Sequence, residues 1–408
     1  MNKKIKILVI PSDKHGVGYF RSLKPHQYIA EHYSDLFDID IMYSIPQNVN
    51  LEDFFKQYDI VHIHKQLDNE GKIASLIQFL GCKLIVDVDD FWDLGNDHPM
   101  SITARYQNWK EPIIKHLKMA DYASTTTEIF KKEILKINPN VLVFPNAIDQ
   151  SEEQYIPKPT TSDRLRFGII CGSSHLKDIE LLQGMTASLS QDILNKIQFV
   201  LCGFDTNGSL TIYNNDTKEF TQRPITPQES VWYTYEKIIT NNFKIVSENH
   251  KQFLHQFIPQ IQYPNLNESY RRIWTKDISE YATHYNEIDV LLVPLKENKF
   301  NQMKSQLKVI EAGFFNKAII AQNFGPYTLD LVPMIEKYGE INENGNALLV
   351  DSSKNHKQWA KYITKLVNDR EMLEKLKTNL HNTVKDKYSI ETVCKQRVEK
   401  YLEIMKED

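Results

Sequence analysis

Lys304, Ser305 and Lys308 stand one turn ahead of Glu311 in the run FNQMKSQLKVIEAGFFNKAIIA. The apolar strand IDVLLVPL precedes them, and the loop KENKFNQMKS leads into a helix QLKVIEAGFF. At such a junction the first backbone N–H groups of the helix lack internal partners and the helix end favours negative charge. A serine and two lysines converging there form a receptor for phosphate. Glu311 lies three residues past Lys308 on nearly the same helical face. Its neighbours in KVIEAGFFNKAII are mostly apolar, which sets the carboxylate beside a buried cleft, where it can accept both hydroxyls of a ribose. An ordinary Glu–Lys pair on a solvated helix is the competing reading. Gly313 is expected to break this helix before the strand resumes.

Other groups capable of chemistry also fall at strand ends. In PSDKHGVGYFRS, Gly16 and Gly18 lie between the first strand and the first helix. They suit either a tight turn or close approach of the backbone to a phosphate or sugar. The full dinucleotide pattern is absent, because Arg21 stands where its third glycine belongs. In CGSSHLKDIELL, Gly172, Ser173 and Ser174 supply caps and donors, and His175 and Lys177 add positive charge at the start of a helix. That pattern binds an anion or is a plain N-cap with a solvated lysine. His62 and His64 share a face of the strand DIVHIH by period two, without a third metal ligand nearby. VDVDDFWD carries Asp87, Asp89, Asp90 and Asp93. Carboxylates at the end of an apolar strand must be solvated or paired. They fit recognition of acceptor hydroxyls, a base, or Mg2+, with hydroxyl recognition preferred.

The elements that hold these residues alternate strand and helix. IKILVIP, FDIDIMY, YDIVHIH, KLIVDVDD and NVLVFPN are short Ile/Val-rich runs with helical segments between them, the pattern of a doubly wound parallel sheet. The polar, proline-bearing stretch DQSEEQYIPKPTTSDRL reads as a linker. The pattern then restarts with LRFGIICG, IQFVLCGF, IDVLLVPL, KAIIAQ and NALLVD. We expect a first Rossmann-like domain over 1–152, a linker over 153–164, and a second Rossmann-like domain over 165–385. An insertion over about 206–285 is too long for a plain loop and should carry its own helices. Its Trp232, Tyr233, Tyr235, Arg271, Arg272 and Trp274 fit either stacking on a ligand or plain core. A helix over 386–408 is expected to end the chain, with a return to the first domain as one course. In open parallel sheets ligands sit outside the carboxyl ends of the strands, so two such domains face each other across a cleft.

The chain has 408 residues, a net charge of -4 and four cysteines, none in a C-x-x-C pair. Length favours two domains. The charge gives no basic excess of the kind nucleic-acid binding uses, and the scattered cysteines suit reduced thiols rather than a metal knuckle. The opening apolar run is too short for a signal or membrane segment, so a cytoplasmic location is expected. Peripheral contact with a membrane and the oligomeric state are left open.

In order along the chain, DIVHIH, VDVDD, ADYASTTTEIFKKEI and NVLVFPNAID, then IDVLLVPL, IEAGFFNKAIIAQNFGPY and ENGNALLVD, resemble retaining nucleotide-sugar glycosyltransferases of the GT-B fold, family 4-like. The pairing of K-S-x-L-K-x-x-E-A-G with D-x-D-D looks closer to a divergent branch from bacterial surface-polysaccharide clusters and phages. The resemblance implies that the second domain binds a UDP- or GDP-sugar and the first binds the acceptor, with no metal or other cofactor required. It places Glu311 on the ribose, Lys177 on the diphosphate, Gly16 and Gly18 beside the donor, and Asn146 in the family's P-N-G segment. Arg21, Ser173, Lys304, Ser305 and Lys308 complete the expected donor set. His64, Asp87, Asp89 and Asn146 form the acceptor set, and Asp89, Asp90, His175 and Lys177 the catalytic set. Met303 replaces the first glutamate of the family's paired-glutamate motif, and Asp89 stands where a histidine is common. The expected acceptor is a surface or lipid-linked saccharide. The alternatives are a hydroxylated base in phage DNA and an inactive protein that only binds nucleotide sugar.

Overall fold

The computed structural model describes residues 3–14, 16–259, 267–336, 338–351 and 356–406. Residues 260–266 of the expected insertion therefore lie outside the described residues.

The Ile/Val runs pair side by side. Strands β1 (Ile5–Ile10), β2 (Phe37–Ile41), β3 (Ile60–His64), β4 (Lys83–Asp87), β5 (Tyr122–Thr125) and β6 (Val141–Val143) form one sheet in the order β2-β1-β3-β4-β5-β6. Further along come β7 (Leu165–Ile170), β8 (Ile197–Phe204), an antiparallel hairpin of β9 (Ser209–Tyr213) and β10 (Phe220–Pro224), then β11 (Tyr270–Trp274), β12 (Val290–Val293), β13 (Ala318–Gln322) and β14 (Leu348–Val350). All of these except the hairpin form a second sheet in the order β11-β8-β7-β12-β13-β14. Pairing is parallel throughout both sheets. Helices cover both faces, which is why the strands are apolar on both sides rather than alternating. The protein is thus two Rossmann-like domains facing a cleft.

Each sheet reverses its winding once, between β1 and β3 in the first and between β7 and β12 in the second. The loops leaving those strands splay apart and open a crevice at their carboxyl ends. The residues after β1 and β7, and those after β3 and β12, are the ones singled out above for chemistry.

Three helical expectations differ from the structure. The first helix, over FRSLKPHQYIAEHY, is preceded by a π-helical turn at Tyr19–Leu23 before the α-helix Lys24–His32 begins. Arg21 lies within that turn with its side chain buried. The segment KDIELLQGMTASLS is a series of short turns, with one α-helical turn at Leu176–Ile179. Gly184, at φ +89, interrupts it. Gly313 does not end its helix, which runs Leu307–Phe314. A Cβ there would lie 2.4 Å from Val384 Cγ2 and 3.1 Å from the Leu380 carbonyl oxygen. The glycine permits the close crossing of helix Arg370–Val384.

The last helix, Ile390–Ile404, packs Val393, Cys394, Val398, Tyr401 and Ile404 against Ile7, Val9, Ile29 and Phe37 of the first domain. Each fully buried apolar side chain contributes about 1.5–3 kcal/mol, so this helix is held to the first domain although it follows the second.

Across the cleft, the segment after β12 reaches into the first domain. Met303 is buried among Phe91, Trp92 and Phe130, and Phe300 packs beside it. Lys296 pairs with Asp97 at 2.8 Å and Lys299 with Glu133 at 2.7 Å. From the hairpin, Phe220 meets Tyr106 edge-on at 4.9 Å.

Candidate active site

Between the domains lies a cavity of about 1060 Å³, large enough for a ligand of nucleotide-sugar size. Gly16, Arg21, Asp89, Asp90, Asn146, Ser173, His175, Lys304, Ser305, Lys308 and Glu311 all line it, although they span nearly 300 positions of sequence.

Its second-domain wall is built by the β12 loop and helix Leu307–Phe314. Lys304 and Lys308 both face the cavity, and among the described residues neither makes an ion pair. Burial lowers the Lys308 ammonium below its ordinary range, and the charge of Lys304 adds to that. Two cations lining one cavity with no ion pair to either are the electrostatic signature of an anion site. Ser305 sits between them in sequence, its Oγ accepting a hydrogen bond from Asn146 Nδ2 at 3.1 Å.

Glu311 is 2% exposed. Its Oε2 accepts from the Tyr285 hydroxyl at 2.9 Å, and its Oε1 has no partner among the described residues. Burial pushes the carboxyl well above the ordinary carboxylate range. Lys308 does not pair with it, so the solvated Glu–Lys pair is excluded. A buried carboxyl with one oxygen unpartnered among the described residues and facing a cavity is placed to hydrogen-bond a ligand there.

His175 departs from expectation. Its Nδ1 lies 2.7 Å from Asp178 Oδ2. Burial would raise that carboxyl, but the His175 contact holds it below its ordinary range. Being ionised, Asp178 can only accept, so Nδ1 carries the proton. Burial, Lys308 and Lys304 lower the imidazole to about 3. The ring is therefore neutral, with its other nitrogen an acceptor, rather than the cation expected at this helix start. Asp178 also accepts from the Lys296 backbone at 2.8 Å and Asn301 Nδ2 at 2.9 Å. Those bonds fix the loop that carries Lys304.

Lys177 is not brought into the cavity. Its ammonium bonds both oxygens of Glu180 at 2.9 and 3.0 Å and is 42% exposed. The short Leu176–Ile179 turn sends successive side chains about 100° apart, so with His175 inward Lys177 points elsewhere. Ser173 is exposed at the cavity edge.

On the first-domain side, Gly16 turns with φ +47 and lines the cavity, whereas Gly18 packs beneath it. A Cβ on Gly18 would lie 2.2 Å from the Asp13 carbonyl oxygen. Arg21 and Asp87 form a closed pair, 1% and 0% exposed, at 2.6 and 3.0 Å. Arg21 also donates to the Phe144 carbonyl and, at 3.2 Å, to Asn146 Oδ1. Ser124 donates to Asp87 at 2.6 Å. Burial would raise Asp87, yet Arg21 holds it at about 2. Asp87, closed in by these bonds, does not line this cavity, whereas Arg21 lines it and is linked through Asn146 to Ser305. Arg21→Met leaves the Asp87 charge buried and unpaired, and should lower unfolding free energy by about 3 kcal/mol, measured by denaturant titration.

Asp89 and Asp90 share one strand end but have opposite environments. Asp89 accepts from His64 Nε2 at 3.0 Å and lies 3.5 Å from Lys65 Nζ. Burial opposes its charge, but Lys65 and His64 hold it well below the ordinary carboxylate range. His64 Nδ1 is also engaged, 2.6 Å from Ser12 Oγ, so His64 positions Asp89 rather than a ligand. Burial and the Asp89 charge push Asp90 up to about 6, against the pull of Lys304 and Lys65. His62 lies behind, fully buried and lowered to about 3 by burial and Arg397. It does not reach the cavity. Cys171 does reach it, but burial raises its thiol to about 12, which excludes a thiolate nucleophile.

The aromatic residues singled out in the insertion pack into the second domain's core. Trp232, Tyr233 and Tyr235 are buried against β7 and β8, and Arg272 is clamped by Glu236 at 2.7 and 2.8 Å. Of the six insertion residues singled out above, Trp232 lines the cavity, and Tyr281 and Tyr285 of the same insertion line it as well. Sequence reasoning missed Tyr285, His98, Lys65 and Asp178. Of these, Asp178 had a signal: it stands three residues after His175, one turn away. The other three are joined to the site by tertiary packing alone. Among the described residues no group of three or more His, Cys, Asp or Glu side chains is arranged to hold a metal.

No protein-family model matches the chain, and no curated protein matches it by sequence. Its backbone is similar to solved structures. A glycosyltransferase from Rickettsia africae superposes with TM-score 0.60 at 13% identity, covering 100% of both chains. Anabaena HepE in complex with UDP and glucose gives TM-score 0.60 at 12% identity, over 98% of this chain and 100% of that one. An α-glucosyltransferase in complex with UDP-glucose and DNA containing an abasic site gives 0.57 at 11%, over 97% and 99%. The chain has a GT-B-like fold related to that of nucleotide-sugar glycosyltransferases.

Proposed function

We propose that the protein transfers a sugar from a nucleoside-diphosphate sugar, UDP- or GDP-linked, to a hydroxyl acceptor with retention and without a metal. The observation that carries this reading is the cavity wall formed by Lys304, Lys308 and Glu311. Two unpaired ammonium groups and one buried carboxyl with a free oxygen are spaced along a single helix start. That set complements a diphosphate joined to a ribose.

In this reading the bond between the sugar's anomeric carbon and the diphosphate oxygen breaks, and its electron pair stays on the diphosphate. Lys304, Lys308 and Ser305 stabilise the charge that develops there, the role a metal serves elsewhere. The acceptor oxygen bonds to the same face of the anomeric carbon, and its proton passes to a departing phosphate oxygen. Asp90 holds a neighbouring acceptor hydroxyl, and its negative charge offsets the positive charge building on the sugar ring. Neutral His175 accepts a hydrogen bond from a sugar hydroxyl. The nucleotide complexes of the structural neighbours support the donor class.

The test is a thermal-shift series with UDP- and GDP-sugars in the presence of EDTA. One family should raise the melting temperature by mass action, and the rise should disappear in Glu311→Gln. No shift with any nucleotide sugar overturns the reading.

A further inference from the structure

A second cavity, of about 1030 Å³, lies within the first domain beyond Asp90. Asp90, His98 and Phe300 line both cavities, so the two meet at the carboxyl pushed up to about 6. His98 and Phe300, edge-on at 5.1 Å, frame the opening.

The chamber's polarity is divided. Its hydrogen-bonding groups cluster where β1, β3 and β4 end: Ser12, Asp13, His64, Lys65 and Asp90. Aromatic side chains line it as well, among them Trp92, Trp109 and Tyr43. Trp109 is 36% exposed, and its indole is fixed by a bond to Gln107 at 2.8 Å. Tyr43 is 40% exposed, with Lys14 over its ring at 4.9 Å. Aromatic faces carry partial negative charge and attract the C–H face of a sugar ring. The volume exceeds what one ring needs and matches a ligand of several rings.

Charge narrows the class. Among the described residues Lys65 alone of the lysines and arginines lines this cavity, and it is committed to Asp89 at 3.5 Å; Lys14 is held over the Tyr43 ring, and Asp13 and Asp90 are both acidic. A polyanion needs several free cations along its track, and an acidic sugar needs at least one. From this we infer that the second cavity receives the acceptor as the uncharged end of an oligosaccharide. Its rings stack on Trp109, and one hydroxyl reaches Asp90 through the His98–Phe300 opening. The inference rests on the transfer reaction proposed above.

The experiment measures sugar transfer from the donor identified by thermal shift, using three acceptor sets. These are neutral di- and trisaccharides, the matching uronate-containing saccharides, and an oligonucleotide bearing hydroxymethylated bases. Neutral saccharides should be used, and the other two sets should be poor acceptors. Trp109→Ala should raise the acceptor KM about tenfold, the size of one stacking contact. Trp109→Phe should recover most of that, with donor affinity the same in all three proteins. Preference for uronates or for the oligonucleotide, or an acceptor KM untouched by Trp109→Ala, overturns the inference while leaving the donor reading intact. Loss of the donor-induced shift in the parent protein would instead remove the reading beneath it.

Discussion

Lys304→Met combined with Lys308→Met is expected to lower kcat/KM by about 10⁴-fold while raising, not lowering, the melting temperature. Losing a single preorganised donor to a developing anion costs about 10²–10³ in rate. The two lysines act on one diphosphate, so their losses compound without being fully additive. The stability arm follows from the same geometry. Among the described residues neither ammonium forms an ion pair, and burial together with Lys304 depresses Lys308 below its ordinary value. A lysine with a lowered folded pKa costs stability wherever it is charged, which includes neutral pH. Methionine keeps the aliphatic stem and removes that cost. A purely structural lysine would give the opposite result, with stability lost and rate little changed. Single variants by thermal melting and initial-rate kinetics separate the two cases. The Lys304 variant carries a further signature: it removes a charge that pulls Asp90 down, so the acidic limb of its pH profile should move to higher pH.

That lysine pair was legible in the sequence because strand, loop and helix are contiguous there. KSQLK and Glu311 sit within one stretch, and a helix start has known electrostatics. The parallel strands were legible for the same reason, each being a short Ile/Val run bounded by polar residues. β5 and β11 were not, since YAST has small polar side chains and YRRIW carries two arginines. Their strand character comes from pairing with β4 and β8, which no local pattern records. The roles of Arg21 and Asp87 were hidden for a related reason. Sixty-six positions separate them, and only the folded sheet turns two apparent ligand contacts into a buried pair. Met303 looked like a missing sugar contact; in the structure it anchors the loop after β12 in the first domain's core. His175 looked cationic because a histidine beside a lysine suggests positive charge. Its neutrality comes from burial and from Lys308 and Lys304, which lie about 130 residues away in sequence.

Asp90→Asn is expected to reduce kcat by about 10²-fold, to flatten the pH profile below about pH 6, and to stabilise the fold at neutral pH. The carboxyl is raised from its ordinary 3.8 to about 6 by burial and by Asp89. The folded protein therefore holds this proton more tightly than the unfolded chain does, and ionising Asp90 costs stability. Relative to the parent, the Asn variant should gain nothing below about pH 4, where the group is protonated in both states, and should gain progressively as pH rises through 6. In the parent, kcat/KM should fall on the acid side near pH 6 as Asp90 takes up a proton and loses its charge. In Asp90→Asn that limb should be absent. A variant that loses activity and stability together would make Asp90 a structural group and leave the transfer step without its acceptor-side anion. Product stereochemistry, read by NMR of the anomeric proton, tests the remaining point. With retention, the acceptor's proton leaves on the diphosphate and Asp90 acts through its charge. An inverted product would make Asp90 itself the proton acceptor, a task to which a carboxylate near pKa 6 is also suited, and the metal-free lysine wall would then serve a displacement from the opposite face.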